Sequence, residues 1–160
     1  MTQLIRVFPY ALSDRQTTVL LGLEAKTWYQ TAYVISELAH EEEKKNGIPV
    51  TAINLLNLLP FVDIGTTVIK VDIQGHECHV LASASEFLEK ARISKLVIEW
   101  LLVRITEENR SCVFDMLQTL LDLNFAPAFP NGGHLTISLL HSTLKETDTR
   151  LFDMVWERDL

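Results

Sequence analysis

Residues 68–77 read VIKVDIQGHE, and this stretch decides the fold. It begins with a short run rich in β-branched residues, and an acidic residue, a glycine and a helical pattern follow. That order predicts a strand over residues 67–73, which brings Asp72 to its carboxyl end and turns sharply at Gly75 into a helix. Ligands of open α/β sheets lie outside the carboxyl ends of the strands. Asp72 is therefore the first candidate for a functional residue.

A helix pattern and a second strand pattern follow this stretch. We expect one continuous helix after Gly75. Its inward-facing positions are Val80, Leu81, Ala84, Phe87, Leu88 and Ala91. Residues 95–102 form a continuous apolar run, which is typical of a strand covered on both faces. Strands that alternate with helices predict crossover units and a largely parallel sheet.

The carboxyl-terminal third contains one more helix and the closing strands. Residues 107–123 have a helix pattern. Its inward-facing positions are Val113, Met116, Leu117, Leu120 and Leu121. Residues 125–129 and 151–157 have strand patterns, and residues 131–133, which read NGG, predict a turn. Since no clear long helix separates these two strands, we expect the final strand to be antiparallel.

Shorter elements fill the first 60 residues. Strands are predicted over residues 4–10, 17–23 and 48–53. Residues 11–14 read as a turn. Pro49 favours an edge position for its strand, because proline cannot donate a ladder hydrogen bond. A short apolar helix over residues 54–59 is expected to end at Pro60.

The bulk composition limits the kind of protein. The 160 residues suit one domain over the whole chain, and 48% apolar residues can supply its core. A net charge of −7 argues against a nucleic-acid groove or an anionic membrane surface as partner. The most apolar stretch, residues 96–105, is too short to span a bilayer and contains Glu99 and Arg104. We therefore expect a soluble protein.

The cysteines and histidines favour no special site. Two cysteines, Cys78 and Cys112, do not make a disulfide framework, so a reduced intracellular compartment such as the cytoplasm is expected. Cys112 is interpreted as a packed thiol. His76 and His79 flank Cys78 and could share a helix face, but no second ligand pair has a suitable spacing. They are interpreted as helix-surface residues, and no metal is predicted.

Several motifs together resemble one family. Residues 69–77, IKVDIQGHE, resemble the strand-four signature I-K-x-D-V-E-G-x-E of the FkbM-type methyltransferases. Residues 11–14, ALSD, look like the A-L-S-D segment of that family. Residues 48–59 look like its short strand that leads into an L-D-D-L-L helix. Residues 95–99, KLVIE, look like its fifth strand with a terminal glutamate, and residues 124–158 resemble its closing strands.

The resemblance implies a fold, a cofactor and a reaction. The implied fold is the class I methyltransferase sheet, which is Rossmann-like and mainly parallel with an antiparallel final strand. The implied cofactor is S-adenosylmethionine. The implied reaction is methyl transfer, commonly to a hydroxyl oxygen of a small molecule or sugar.

The departures from the family pattern concern the cofactor site. The chain has no D-x-G-A-N-x-G loop, and it contains only 6 glycines. It also lacks the acidic end of strand two that would hold the ribose hydroxyls. We therefore expect the carboxyl-terminal portion of a domain, without the first two strands. Gln74 stands where the family usually has glutamate.

Each candidate site residue has a functional and a structural interpretation. Asp72 could orient the methyl donor, or hold the acceptor or a metal, or it could cap the turn that follows its strand. By resemblance, Ser13 and Asp14 could contact the adenine ring, although both residues also favour turns. Glu77 is a catalytic candidate or a carboxylate favoured by the helix dipole. Glu99 could belong to the acceptor site, or it needs a buried partner.

Two hypotheses of function follow. The first is an S-adenosylmethionine-dependent methyltransferase, truncated and inactive as this isolated chain. The second is a non-catalytic methyltransferase-like remnant that acts as an interaction protein. In the class I sheet, strand one lies beside strand four, so its loss would leave the strand of Asp72 with an open edge. We expect the isolated chain to rearrange, to pair with another chain, for instance by self-association through that edge, or to be poorly stable.

Overall fold

A computed structural model describes most of the chain. The described residues are 5–26, 29–35, 40–64, 67–99, 107, 109–128 and 153–160. The predicted turn at residues 131–133 lies outside them. The fold is mixed α/β with two four-stranded sheets. No helix among the described residues is long and apolar enough to cross a membrane.

The first sheet comes from the first third of the chain. Its strands are β1 (Ala11–Leu12), β2 (Thr17–Lys26), β3 (Tyr29–Val34) and β4 (Ile48–Ile53), in the order β1-β4-β2-β3. Among the described residues the β1–β4 pair is parallel, and the β2–β3 and β2–β4 pairs are antiparallel. The prediction of a strand over residues 4–10 is wrong for the described residues 5–10, where Ile5 and Val7 are exposed and no neighbour covers them. Residues 11–14 do not form an isolated turn, because the first two of them form β1.

Strand β4 shows how a proline fits inside a sheet. Its predicted bounds are confirmed, but it lies between β1 and β2 and is not an edge strand. Pro49 is paired with Leu20 of β2. On its other side β4 pairs with β1 only through Ala52 and Ile53, so no ladder hydrogen bond is required of Pro49 there.

The second sheet carries the stretch that ends at Asp72. Its strands are β5 (Val68–Val71), β6 (Lys95–Glu99), β7 (Ala126–Ala128) and β8 (Asp153–Glu157), in the order β5-β6-β8-β7. Strands β5 and β6 are parallel, and β8 is antiparallel to both β6 and β7. The antiparallel final strand is confirmed. The prediction of a mainly parallel sheet is not, since two of the six strand pairs among the described residues are parallel.

All the described helices except the first contribute buried side chains to the core on the second sheet. The described helices are α1 (Glu41–Asn46), a 3₁₀ helix (Leu55–Phe61), α2 (Glu77–Ala82), α3 (Ser85–Lys90) and α4 (Arg110–Asp122). The single helix predicted after Gly75 is divided into α2 and α3. The Ser83 hydroxyl donates to the Val80 carbonyl at 3.1 Å, a local bond that competes with continuation of the helix. Pro60 lies inside the 3₁₀ helix and does not end it.

The core is formed by side chains of the 3₁₀ helix, α2, α3 and α4 that pack with those of the second sheet. Trp156, Phe87 and Phe125 are its largest fully buried side chains. All six inward-facing positions predicted for the region after Gly75 are buried. On α4 the same holds for four of the five predicted positions, but Leu121 is 43% exposed. Arg158 closes one end of the core, where its guanidinium donates to the carbonyls of Ile93, Leu123 and Leu88.

A disulfide joins α2 to α4. Cys78 and Cys112 are bonded, with their Cα atoms 5.5 Å apart. The interpretation of Cys112 as a packed free thiol is therefore wrong. Its partner Cys78 is buried, with 3% of its surface exposed. Two cysteines separated by 34 residues carry no pairing signal, and the packing of α2 against α4 brings them together.

Candidate functional site

The turn between β5 and α2 is the centre of the candidate site. Strand β5 ends at Val71, so Asp72 is the first residue beyond the sheet. The chain then reverses through Gln74 and Gly75, whose φ angles of 56° and 95° lie in the left-handed region. A Cβ atom at Gly75 would meet no atom within 4 Å, so glycine is favoured there by backbone conformation and not by space. Glu77 begins α2 directly afterwards.

The Asp72 carboxylate is held by two neighbouring side chains. Lys70 Nζ lies 3.2 Å from its Oδ2, and Gln74 Nε2 donates to its Oδ1 at 2.9 Å. Partial burial acts to raise the pKa of Asp72, but the hydrogen bonds from Lys70 and Gln74 outweigh it and hold the pKa below its usual range. Asp72 is therefore charged at neutral pH.

Glu99 lies beside Asp72 at the end of the neighbouring strand. The Gln74 amide also donates to Glu99 Oε2 at 3.2 Å, so one amide group bridges the two carboxyl groups. Burial and the charge of Asp72 raise the pKa of Glu99 to about 7. Near neutral pH the pair thus holds one charged carboxylate and one group that can accept or donate a proton. The sequence placed both residues at strand ends, and the parallel β5–β6 pair brings them together.

Glu77 points into the protein. Its side chain is 1% exposed, and its Oε1 accepts from the Ile73 backbone N–H at 3.0 Å. Its Oε2 has no hydrogen-bond partner in the part of the chain that the structure describes. Burial raises the pKa of Glu77, although hydrogen bonds from its own backbone and that of Ile73 act against this. The buried Glu77 side chain therefore stabilises the turn by accepting the Ile73 N–H.

Ser13 and Asp14 connect the first sheet to the same turn. Ser13 is 4% exposed, and its hydroxyl donates to Asp14 Oδ1 at 3.0 Å. His76 Nε2 lies 3.3 Å from the Ser13 hydroxyl. Because the hydroxyl proton is directed to Asp14, His76 is the donor in this contact. Burial, followed by the neighbouring His79, lowers the pKa of His76 to about 4, so its ring is neutral at pH 7.

Two contributors were missed by the sequence analysis. His76 was predicted on a helix surface, but it is half-buried between Ser13 and the ring of His79. Asn54 donates to the Asp14 carbonyl at 2.7 Å and to the Ser83 hydroxyl at 3.1 Å, which ties the first sheet to the helices. An asparagine directly before an apolar helix is a signal for an N-cap, and that signal could have found it. No local signal indicates the partner of His76.

The candidate site thus comprises two groups joined by one turn. Asp72, Gln74 and Glu99 form a bridged carboxyl cluster, and Ser13 and Asp14 are connected to the same turn through His76. The fold and this site define an α/β protein with acidic groups at the carboxyl ends of two adjacent parallel strands. That is the usual place of a ligand site in open α/β sheets.

Comparison with known proteins identifies the family. The family model described as the methyltransferase FkbM domain matches residues 3–127, which include β1 to β6 and most of β7. The chain belongs to this family. Neither the curated proteins nor the solved structures gave a significant match. The resemblance found in the motifs is therefore confirmed at the level of the family.

Proposed function

We propose that this chain is the carboxyl-terminal part of an FkbM-type methyltransferase domain. The complete domain would transfer a methyl group from S-adenosylmethionine, commonly to a hydroxyl oxygen of a small molecule or sugar. The isolated 160 residues would not perform this reaction. The family match over residues 3–127 supports the class of reaction.

The observation that carries this proposal is the position of β5. In the order β5-β6-β8-β7 it is an end strand, and β6 is its one partner among the described residues. In the class I sheet, strand one and its glycine-rich loop lie on the other side of strand four. If β5 is strand four, its open edge marks the place of the strands that this chain does not supply. The parallel neighbour β6 and the antiparallel β8 agree with strand five and a closing strand.

The residues present do not form a complete site for S-adenosylmethionine. The sequence contains no D-x-G-A-N-x-G loop. The candidate groups are also engaged within the chain, since Asp72 binds Lys70 and Gln74. Ser13 is buried against Asp14 and His76. We therefore assign no reaction step to the isolated chain.

In the complete domain each candidate residue has a proposed role. Asp72 would bind the donor, and Glu99, whose pKa is about 7, would accept the proton of an acceptor hydroxyl. Ser13 and Asp14 would lie near the adenine ring, as the resemblance implies. Glu77, first considered catalytic, is better explained as a positioning residue, because it holds the Ile73 N–H and closes the turn.

Cofactor binding tests the proposal. Titration calorimetry with S-adenosylmethionine should give no binding with the 160-residue chain. The coding sequence upstream of Met1 should contain an in-frame D-x-G-A-N-x-G loop, and the chain extended to include it should bind. Asp72→Asn should abolish that binding, whereas Asp115→Asn on the exposed face of α4 should not. Micromolar binding by the 160 residues would contradict the requirement for the loop.

The open edge of β5 also favours a second candidate function. A non-catalytic remnant would use this edge as an interaction surface, and Val68 on β5 is 59% exposed. In that case no in-frame loop would precede Met1, and the chain would self-associate as its concentration rises. Val68→Lys, a charged change typical of protected edges, should reduce that association in light scattering. A chain that remains monomeric at high concentration would argue against this candidate.

A further inference from the structure

Two cysteines and a histidine form a cluster that the candidate methyltransferase site does not include. Cys78 and His79 lie in the first turn of α2, and Cys112 lies on α4. Their three donor atoms, two sulfurs and one imidazole nitrogen, all lie within 4.8 Å of one another. The cluster was not predicted, because the ligand that completes it is 34 residues away from Cys78.

We propose that the reduced chain binds a divalent cation of zinc type through Cys78, His79 and Cys112. The disulfide is then the oxidised, metal-free state of the same site. Zinc prefers thiolate and imidazole ligands and binds them in tetrahedral geometry. The proposal is independent of the methyltransferase function.

The distances suit such a site once the disulfide is open. Zinc–sulfur bonds of about 2.3 Å in a tetrahedron place the two sulfurs roughly 3.8 Å apart. The helices already hold the two Cα atoms at 5.5 Å, so opening the S–S bond requires side-chain rotation more than helix movement. Three protein ligands leave the fourth position to water, as in open zinc sites.

The burial of the three ligands favours entry of a cation from one side. Cys78 is buried, Cys112 is half-buried and His79 is exposed, so the imidazole faces solvent while the thiolates lie deeper. The ring of His76 stacks on His79 with ring centroids 4.5 Å apart, which restricts the orientation of the imidazole. The net charge of −7 attracts cations to the chain in general.

The two states interconvert by a balanced exchange. A cellular dithiol reductant supplies two electrons and two protons to the Cys78–Cys112 disulfide, and it becomes a disulfide itself. The chain then carries two thiols. Binding of the cation displaces both thiol protons to solvent, and the imidazole of His79 donates a nitrogen lone pair to the cation. In the reverse direction a disulfide oxidant takes two electrons from the two thiolates and, with two protons from solvent, becomes a dithiol, and formation of the Cys78–Cys112 bond releases the cation.

Cobalt titration of the reduced 160-residue chain tests the site. Co²⁺ should give a thiolate-to-metal charge-transfer band and the intense visible bands of tetrahedral cobalt, and one equivalent of Zn²⁺ should remove both. His79→Gln and Cys112→Ser should each weaken binding by about 100-fold or more, because each removes one of three ligands, and loss of even an outer-shell partner costs roughly 10–100-fold. His40→Gln, which changes an exposed histidine at the start of α1, is the matched control and should bind as the parent does.

Two further measurements decide the remaining outcomes. The oxidised chain should show no charge-transfer band, and equal binding by oxidised and reduced chains would place the metal elsewhere and overturn the proposal. Absence of the band in the reduced parent chain would also overturn it. Circular dichroism establishes that each variant is folded. If Cys112→Ser unfolds, His79→Gln is decisive, because this residue is exposed, and unchanged cobalt affinity in that variant would refute the site.

Discussion

Opening the Cys78–Cys112 disulfide should remove a large part of the stability of this domain. The bond closes a loop with a sequence separation of 34 residues between α2 and α4. In the chain-entropy model, a loop of this length lowers the entropy of the unfolded chain by about 13 cal/mol/K, which is about 4 kcal/mol at 25 °C. Single domains have a total free energy of unfolding of only about 5–15 kcal/mol.

The measurement compares one sequence in two redox states. Urea unfolding of the oxidised and the reduced chain can be followed by the fluorescence of tryptophan, because Trp156 is fully buried in the core. We expect the free energy of unfolding to fall by about 3–4 kcal/mol on reduction. The urea dependence should become steeper, since the reduced unfolded chain exposes more surface. Thiol titration in denaturant should find no free thiol before reduction and two afterwards.

A matched variant separates the bond from other effects of the reductant. Cys112→Ser cannot form the disulfide, so its stability should be the same with and without reductant and close to that of the reduced parent. The reasoning is refuted if the oxidised and reduced parent chains differ by less than about 1 kcal/mol while thiol titration confirms both states. It is also refuted if the unreduced chain has two reactive thiols in denaturant.

Three further predictions concern the carboxyl cluster and the core. The pKa of Glu99 is raised from 4.5 in the unfolded chain to about 7, so between these pH values the folded state binds more protons than the unfolded state and loses stability as the pH rises. Glu99→Gln should flatten this part of the curve of unfolding free energy against pH. An unchanged slope in that variant would contradict the pKa shift. Gln74→Glu replaces the bridging amide with a third carboxyl group, and urea unfolding at pH 8 should show a loss on the order of 1 kcal/mol. The control Gln118→Glu, on the exposed face of α4, should lose less. Arg158→Met removes donors to three carbonyls and should lower the free energy of unfolding by about 2–3 kcal/mol, which lowers the thermal midpoint. The control Arg110→Met, at the exposed start of α4, should have little effect. Equal midpoints for the two variants would reject this role of Arg158.

Where local pattern and burial agreed, the sequence predicted the elements well. The strand before Asp72, the strand that ends at Glu99 and the buried positions after Gly75 are present as expected. Strand β4 has its predicted bounds. Hydrophobic periodicity reports which face of an element is covered, and these elements are covered by the core.

The errors arise where the partner of a segment is distant in the chain. Residues 5–10 have a strand pattern but pair with no strand among the described residues, and a strand is formed by pairing and not by pattern. The expected helix after Gly75 is divided at Ser83, whose hydroxyl also accepts a hydrogen bond from Asn54, 29 residues earlier. Leu121 matches the helical period, yet it lies beyond the covered face of α4.

The sequence predicted several residues of the candidate site but not the hydrogen bonds that join them. Asp72 and Glu99 were found because acidic residues at the ends of apolar strands are conspicuous in a sequence. The Gln74 amide that joins them, and the half-buried His76 that connects Ser13 to the same turn, depend on left-handed backbone and on contacts between the two sheets. Side-chain hydrogen bonds across 63 residues leave no local trace.

The sequence by itself determined the family, the alternation of strands and helices, and the two carboxylates at strand ends. These properties follow from local order along the chain, as in the stretches VIKVDIQGHE at residues 68–77 and KLVIE at residues 95–99. Only the tertiary structure decided that the described strands form two sheets, that β6 is the one partner of β5 among them, and that Cys78 meets Cys112. Each of these depends on which distant surfaces pack together, and packing is a property of the whole chain.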